Sequence, residues 1–390
     1  MKISPFKIDI DAAIIDDLHQ RLRNTRWPDE IGQDWQYGTD RQWLQSLCQY
    51  WLEQYDWRQQ EAKLNQFEHF TAEFDDQSLH FIHARSPHAE ALPLIMTHGW
   101  PGSIVEFSRI LPMLTHPEKF GGTAADAFHV VCPSIPGYGF SKAPTRPGFD
   151  QKCVAEGHVR LMAELGYERY GAQGGDWGSA ISSWTAVLAP EQVCGIHLTL
   201  VFAGYPKHLP DPFAGVTDRE RRVLSERQKL MIDGTGYQAI QGSRPQTLGY
   251  GLHDSPSGLA AWISEKFYFW TDCHGQLENS VSRDELLTNI MLYWVTGTIT
   301  SSTRLYYESN HVGNNLFEHG RIATPTGCTM FPAELYQPPR SWAEELYNIQ
   351  HWTEQPAGGH FAALEQPELL AADIRTFFQK IRLLENKARS

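Results

Sequence analysis

Between residues 170 and 188 the chain runs from a short apolar stretch, Tyr170–Gln173, through Gly174-Gly175-Asp176-Trp177-Gly178-Ser179, into a helical pattern from Gly178 to Leu188. Glycines on both sides of Asp176 permit a tight strand-to-helix turn, because glycine accepts backbone angles and close approaches that other residues do not. A side chain at the apex of such a turn stands clear of the sheet, which is the layout of a nucleophile elbow. The plainer alternative is a loop in which Asp176 only caps the helix. As a nucleophile, an aspartate in place of the usual serine changes the accessible chemistry. A serine alkoxide that opened an epoxide would leave an ether, which water does not readily release. A carboxylate attacking an sp³ carbon leaves an ester, whose carbonyl water can attack in turn. An aspartate elbow therefore points to epoxides or alkyl halides rather than to esters or amides.

The surrounding sequence gives the turn a sheet to stand on. Leu92–Thr97 reads as a short strand, followed by a Gly/Pro turn and a helix around Ile104–Leu114. Phe128–Pro133 is a strand, 150–165 a helix, and Cys194–Leu200 another strand. Alternation of this kind predicts a parallel sheet with helices on both faces. The rhythm stops near residue 203 and resumes near Thr326, where Gly327–Phe331 is strand-like. The interval is helical: Arg219–Ile232 is one helix, and Ser282-Arg283-Asp284-Glu285 forms a capping box before Leu286–Val295. A helical insertion between two strands of a parallel sheet is a candidate lid. Upstream, Ile10, Ile14, Ile15, Leu18 and Leu22 form one helical stripe, and Trp43, Leu47, Trp51 and Leu52 form a second after Thr39. Residues 67–83 alternate like two strands around a turn at Asp75-Asp76-Gln77-Ser78. Leu369, Ile374, Phe377, Phe378 and Ile381 signal a C-terminal helix. The expected plan is an α/β-hydrolase fold. Residues 1–85 form a helical arm leading into the sheet, 86–203 the first part of the core, 204–322 the lid and 323–390 the second part.

In that fold the turn after an early strand supplies one backbone N–H of an oxyanion hole, and the residue after the nucleophile supplies the other. The matching segment is His98-Gly99-Trp100-Pro101-Gly102-Ser103, so the expected donors are the amides of Trp100 and Trp177, with Gly99 and Pro101 fixing the bend. A base is expected on the glycine-flanked loop Gly358-Gly359-His360-Phe361. Between them an acid is needed, and Glu334 follows the strand ending near Phe331, with Glu344, Glu345 and Glu354 as rivals. The order Asp176, Glu334, His360 is the fold's nucleophile–acid–histidine order. An epoxide oxygen also needs a proton donor, and phenols suit an apolar pocket. The insertion offers Tyr237, Tyr250, Tyr268, Tyr293, Tyr306 and Tyr307, and composition does not choose among them.

Composition excludes several other partners. There are 33 basic against 46 acidic residues, a net charge of −13, which tells against a nucleic-acid groove or an anionic membrane surface. The 6 cysteines lie far apart with no C-x-x-C pair, so no metal site, redox dithiol or cofactor is expected, and reduced buried thiols are. No apolar run follows Met1-Lys2-Ile3-Ser4-Pro5, so the expectation is a soluble cytoplasmic protein without a signal peptide or anchor. The 13 Trp, 15 Tyr and 19 Phe suit either a bulky core or an apolar pocket.

Taken together, these segments resemble the microsomal-type epoxide hydrolases from the N-terminal arm to the last helix. Pro5-Phe6-Lys7 through Thr25-Arg26-Trp27-Pro28 is similar to that family's N-terminal domain. The segments around His98, Asp176 and His360 are similar to its core motifs. The resemblance implies that Gly236–Gln241 and 254–261 form a first lid motif and 301–308 a second, making Tyr237 and Tyr306 the acid pair, with Tyr307 adjacent. It also supports Glu334 as the acid. Mammalian members carry a membrane anchor, whereas this chain starts in the arm, so the likeness is to a soluble, microbial relative. The implied activity is hydrolysis of a small apolar epoxide with water to a vicinal diol, through an alkyl ester on Asp176. A haloalkane dehalogenase is the nearest alternative, although it would use side-chain N–H donors for halide instead of paired phenols. A non-catalytic hydrolase-fold binding protein is the other. The arm could clamp its own core or meet a partner subunit in a homodimer.

Overall fold

The computed structural model describes residues 2–389 apart from 33, 76 and 319, and only the backbone of 385–389. Among the described residues, nine strands form a single sheet: β1 (Lys2–Phe6), β2 (His69–Phe74), β3 (Gln77–Ala84), β4 (Leu92–Thr97), β5 (Phe128–Pro133), β6 (Tyr170–Gly174), β7 (Val193–Leu198), β8 (Ile322–Met330) and β9 (Tyr347–Glu354). Their spatial order is β1-β2-β3-β5-β4-β6-β7-β8-β9. The first three pair antiparallel and β3 joins β5 antiparallel. From β5 through β4 to β9 every pairing is parallel. Alternate residues of β4 feed different cores. Leu94 and Met96 pack with Phe377 and Phe378 of the helix Pro367–Arg389, while Ile95 packs with Leu161 and Ala172. A strand covered on both faces has no solvent side, which is why these segments read as unbroken apolar runs.

Two strands escape the sequence reading. In β1, Lys2, Ser4 and Pro5 give no apolar alternation; it is an outer strand, where a proline costs no ladder bond toward solvent. In β9, Asn348, Gln350 and Glu354 interrupt the pattern because the strand lies at the opposite edge. The helix expected around Ile104–Leu114 is a 3₁₀ turn, Ile104–Phe107, followed by a helix, Ile110–Thr115. The side chain of Ser103 caps the turn by accepting from the Val105 N–H. Of the expected hairpin turn, Asp76 lies outside the described residues; Asp75 has φ +52°.

Six helices from Asp218 to His311 interrupt the chain between β7 and β8. The capping box at Ser282 and Glu285 starts the helix Arg283–Thr296 as expected. The N-terminal arm packs on this insertion. Arg21 pairs with Asp254 at 2.6 Å, the Tyr50 hydroxyl donates to Asp284 at 2.8 Å, and the Thr39 hydroxyl donates to the Ala261 carbonyl. The arm thus packs on the helical insertion of its own chain. Among the described residues no helix is long and apolar enough to cross a membrane.

Below the parallel strands, Asp373 accepts from His197 at 3.0 Å and from His351 at 2.9 Å, and also bonds the Thr329 hydroxyl. Burial alone would raise this carboxyl, but its hydrogen bonds and the charge of His197 hold it well below the ordinary carboxylate range. A depressed carboxyl stabilises the fold above its unfolded value and loses that contribution as pH falls through the folded one. Asp373→Ala is expected to cost about 3–5 kcal/mol at pH 7. The gap from wild type in urea unfolding should narrow below about pH 4, where the unfolded-state carboxylate begins to protonate. An equal gap at both pH values would exclude this account.

Candidate active site

β6 ends at Gly174 and the next helix begins at Trp177, so the whole reversal falls on Gly175 and Asp176. Asp176 sits at φ +47°, ψ −128°, a conformation rare for a residue with a side chain, held only because its surroundings over-determine it. Two glycines explain the fit. A Cβ on Gly178 would lie 1.9 Å from the Thr97 carbonyl oxygen, and one on Gly99 would lie 2.3 Å from Asp176 Cβ. The helix start therefore packs directly on the end of β4, and the loop after β4 packs directly on the Asp176 side chain.

That loop is pinned from both sides. His98 is buried; its Nε2 accepts from the Ile135 N–H at 3.2 Å, which leaves the proton on Nδ1 to donate to the Gly99 carbonyl at 2.9 Å. Burial pushes His98 down to about 4, consistent with a neutral structural ring. From the lid, Asn289 Nδ2 donates to the Pro101 carbonyl at 2.7 Å and the Tyr293 hydroxyl donates to the Gly102 carbonyl at 2.6 Å. The Trp100–Pro101 bond is cis. In this loop the Trp100 N–H donates to Asp176 Oδ1 at 2.8 Å. Trp177 occupies the first position of the following helix.

Opposite stands His360. Its Nε2 lies 3.4 Å from Asp176 Oδ2, and its Nδ1 lies 2.7 Å from Glu334 Oε1. Its backbone N–H donates to the Trp270 carbonyl, while Gly358 N–H bonds Asp272 and Phe361 N–H bonds Glu365, so the loop is tied to the lid and to its own helix. Burial pulls His360 down, but the Glu334 and Asp176 carboxylates overcome it and raise the ring well above its ordinary value. Glu334 is fully buried. The rival acids face elsewhere: Glu344 bonds Arg340, Glu345 bonds His208 and Glu354 pairs with Arg219.

The tyrosines separate in the same way. Tyr237 and Tyr306 are buried with ring centroids 5.8 Å apart, and both contact Trp100, at 5.3 and 5.8 Å. Tyr306 also meets the Trp177 ring edge-on at 4.8 Å. Burial is the main cause that raises both phenols far above their ordinary range; the Asp176 charge adds to it for Tyr237, and Tyr237 and then Asp176 add to it for Tyr306. Tyr307 instead stacks on His311, Tyr250 is exposed, Tyr268 stacks on Trp35, and Tyr293 is committed to the Gly102 carbonyl. The sequence reading missed four further residues. Trp270 meets the His360 ring edge-on at 5.0 Å and packs on Tyr237 at 5.2 Å. The Lys266 ammonium lies 4.8 Å from the Tyr237 centroid. Glu106 and Gln173 line the cavity shared by Asp176 and His360. None belongs to a recognisable motif, and only the elements that carry them could have drawn attention to them. Among the described residues no group of His, Cys, Asp and Glu could hold a metal ion.

Residues 3–107 match the family model described as the epoxide hydrolase N terminus, and 93–228 match the alpha/beta hydrolase fold model. A protein of Stigmatella aurantiaca (strain DW4/3-1), named provisionally as an epoxide hydrolase, is 46% identical over 382 residues, covering 97% of this chain and 86% of its own. Epoxide hydrolase 1 of Sus scrofa is 40% identical over 400 residues, covering 96% and 88%. The crystal structure of juvenile hormone epoxide hydrolase from the silkworm Bombyx mori superposes with a TM-score of 0.90 at 33% identity, covering 98% of this chain and 96% of that one. An aspartate elbow facing a buried histidine–glutamate pair, beneath two lid phenols, is thus set in a chain that belongs to the epoxide hydrolase family of the α/β-hydrolase fold.

Proposed function

We propose that this enzyme opens a small apolar epoxide with water to a vicinal diol, in two half-reactions through an alkyl ester on Asp176. The observation that carries the reading is the set Asp176, His360 and Glu334 with separations of 3.4 and 2.7 Å, beside two phenols that pack on the Trp100 ring and are kept protonated by burial. Trp100 N–H holds Oδ1, so Oδ2 is the attacking oxygen. Tyr237 and Tyr306 donate to the epoxide oxygen. As Oδ2 bonds to one ring carbon, the C–O bond on that carbon breaks and the alkoxide takes a phenolic proton.

Esterification changes His360. In the free enzyme Asp176 helps keep the imidazole protonated. Once Asp176 is a neutral ester that charge is gone; the Glu334 charge stays, but against burial the ring holds its proton less strongly than in the free enzyme. The proton His360 sheds is the one the phenolate needs. His360, oriented through Nδ1 by Glu334, then takes a proton from water as that water attacks the Asp176 carbonyl carbon. The Trp100 and Trp177 amides stabilise the oxyanion; loss of one such donor costs roughly a hundredfold or more in rate. The 6 cysteines are free, which supports a reducing compartment, and we place the enzyme in the cytoplasm.

The test is a single turnover of styrene oxide in ¹⁸O-labelled water with enzyme in excess. Unlabelled diol is expected, because its new oxygen comes from Asp176, and label enters the diol only in later turnovers. Labelled diol in the first turnover would mean direct attack by water and would overturn the ester route.

A further inference from the structure

Behind Asp176 and His360 lies a cavity of about 20 Å³, which also reaches Glu106, Gln173 and Thr199. A water needs roughly 10–15 Å³ of such space and two to four polar partners, so the cavity fits a single molecule. Its walls carry polar groups that the reaction as described leaves unused. Gln173 is buried on β6 and its Oε1 has no hydrogen-bond partner, a costly arrangement for an amide acceptor. Glu106 is buried in the 3₁₀ turn Ile104–Phe107. Its carboxyl sits where a side chain on residue 102 would be, since a Cβ on Gly102 would lie 1.5 Å from Glu106 Oε1. The absence of a side chain at Gly102 is thus what admits the carboxyl beside the nucleophile.

We propose that Glu106 and Gln173 build the site of the water that hydrolyses the Asp176 ester, holding it between the ester carbonyl carbon and Nε2 of His360. Both are positioning residues, and the proposal rests on the ester route given above. Burial, reinforced by the Asp176 charge and opposed by His360, pushes the Glu106 carboxyl up to about 8, so it carries a proton at neutral pH and can donate. The water accepts from the Glu106 hydroxyl, donates one hydrogen to Gln173 Oε1 and the other to His360 Nε2, and keeps a lone pair for the carbonyl carbon. On attack a bond forms from the water oxygen to Asp176 Cγ and the proton passes to His360. The bond from Cγ to the alkyl oxygen then breaks, and the departing diol oxygen takes that proton back.

Rapid-quench mass spectrometry with styrene oxide separates the two half-reactions. In Glu106→Leu, alkylation of Asp176 should proceed as in wild type while decay of the ester slows roughly a hundredfold, the usual cost of a misplaced reactant. Adduct therefore accumulates. Glu106→Gln should recover most of the decay rate, because its amide still donates, and Gln173→Leu should repeat the slow decay from the other wall. Wild-type decay in both Glu106→Leu and Gln173→Leu would overturn the water site while leaving the ester route standing, as would an equal fall in both half-reactions. Absence of any adduct in the wild-type enzyme would overturn the ester route and the water site with it.

Discussion

A His360→Gln variant treated with styrene oxide should accumulate one covalent adduct per chain, located on Asp176, and turn over roughly 10²–10⁴-fold more slowly than wild type. The two half-reactions differ in their need for the imidazole. Alkylation uses the Asp176 carboxylate and the phenols, and Trp100 N–H holds Oδ1 regardless of residue 360. Hydrolysis needs a base on the opposite side of the carboxyl, and His360 Nε2 at 3.4 Å is placed for it. Removing it stalls the chain at the ester, so peptide mapping should find the adduct on Asp176 and none in an Asp176→Asn variant. The wild-type pH dependence has a definite sign. His360 is raised in the free enzyme by the Glu334 and Asp176 carboxylates, and esterification of Asp176 removes the second of these. Ester decay should slow toward acid pH, as protonation of His360 in the ester removes the base, whereas alkylation should not share that acid limb. A His360→Gln enzyme that releases diol at the wild-type rate, or that forms no adduct, would exclude this division of labour.

How much of this was legible in the sequence depends on whether local chemistry or tertiary packing sets each feature. The Asp176 turn was legible because its constraints are local: glycines at 174, 175 and 178 are demanded by approaches under 3 Å to backbone or to the Thr199 side chain. The parallel strands were legible because burial on both faces erases polar positions, whereas β1 and β9 at the sheet edges carry Pro5, Asn348 and Gln350 and leave no such run. The tyrosines were not legible from their own segment. Tyr306 and Tyr307 are neighbours on one helix and point about 100° apart, so which of them meets Trp100 is decided by how that helix lies on the core. The family resemblance supplied what local pattern could not. Glu106 and Gln173 were missed for the same reason: a lone glutamate in a turn and a lone glutamine in a strand gain meaning only when folding brings them to one cavity.

Replacing both phenols, in Tyr237→Phe/Tyr306→Phe, should reduce the rate of alkylation roughly 10²–10⁴-fold, the range spanned by general acid catalysis. The chemical reason is the leaving group. An epoxide oxygen departs as an alkoxide, far too basic to leave at neutral pH without a proton. Each single variant should retain more activity than the double, since the remaining phenol can still donate. Tyr307→Phe should behave as wild type, because Tyr307 stacks on His311 away from Trp100. The loss should appear in adduct formation under single-turnover conditions, with decay of whatever ester forms unchanged, since hydrolysis does not use the phenols as acids. The pH profile adds a second readout. Burial and the Asp176 charge raise both phenols, so the protonated, donating form persists above pH 10, where an exposed tyrosine would ionise. Wild-type alkylation should therefore show no alkaline loss up to about pH 10. An alkaline limb near pH 8–9 in wild type that vanishes in Tyr237→Phe would mean that a phenol ionises there and that the pocket does not hold it protonated. Full alkylation activity in the double variant would remove the phenols from the mechanism altogether and require another acid for the epoxide oxygen.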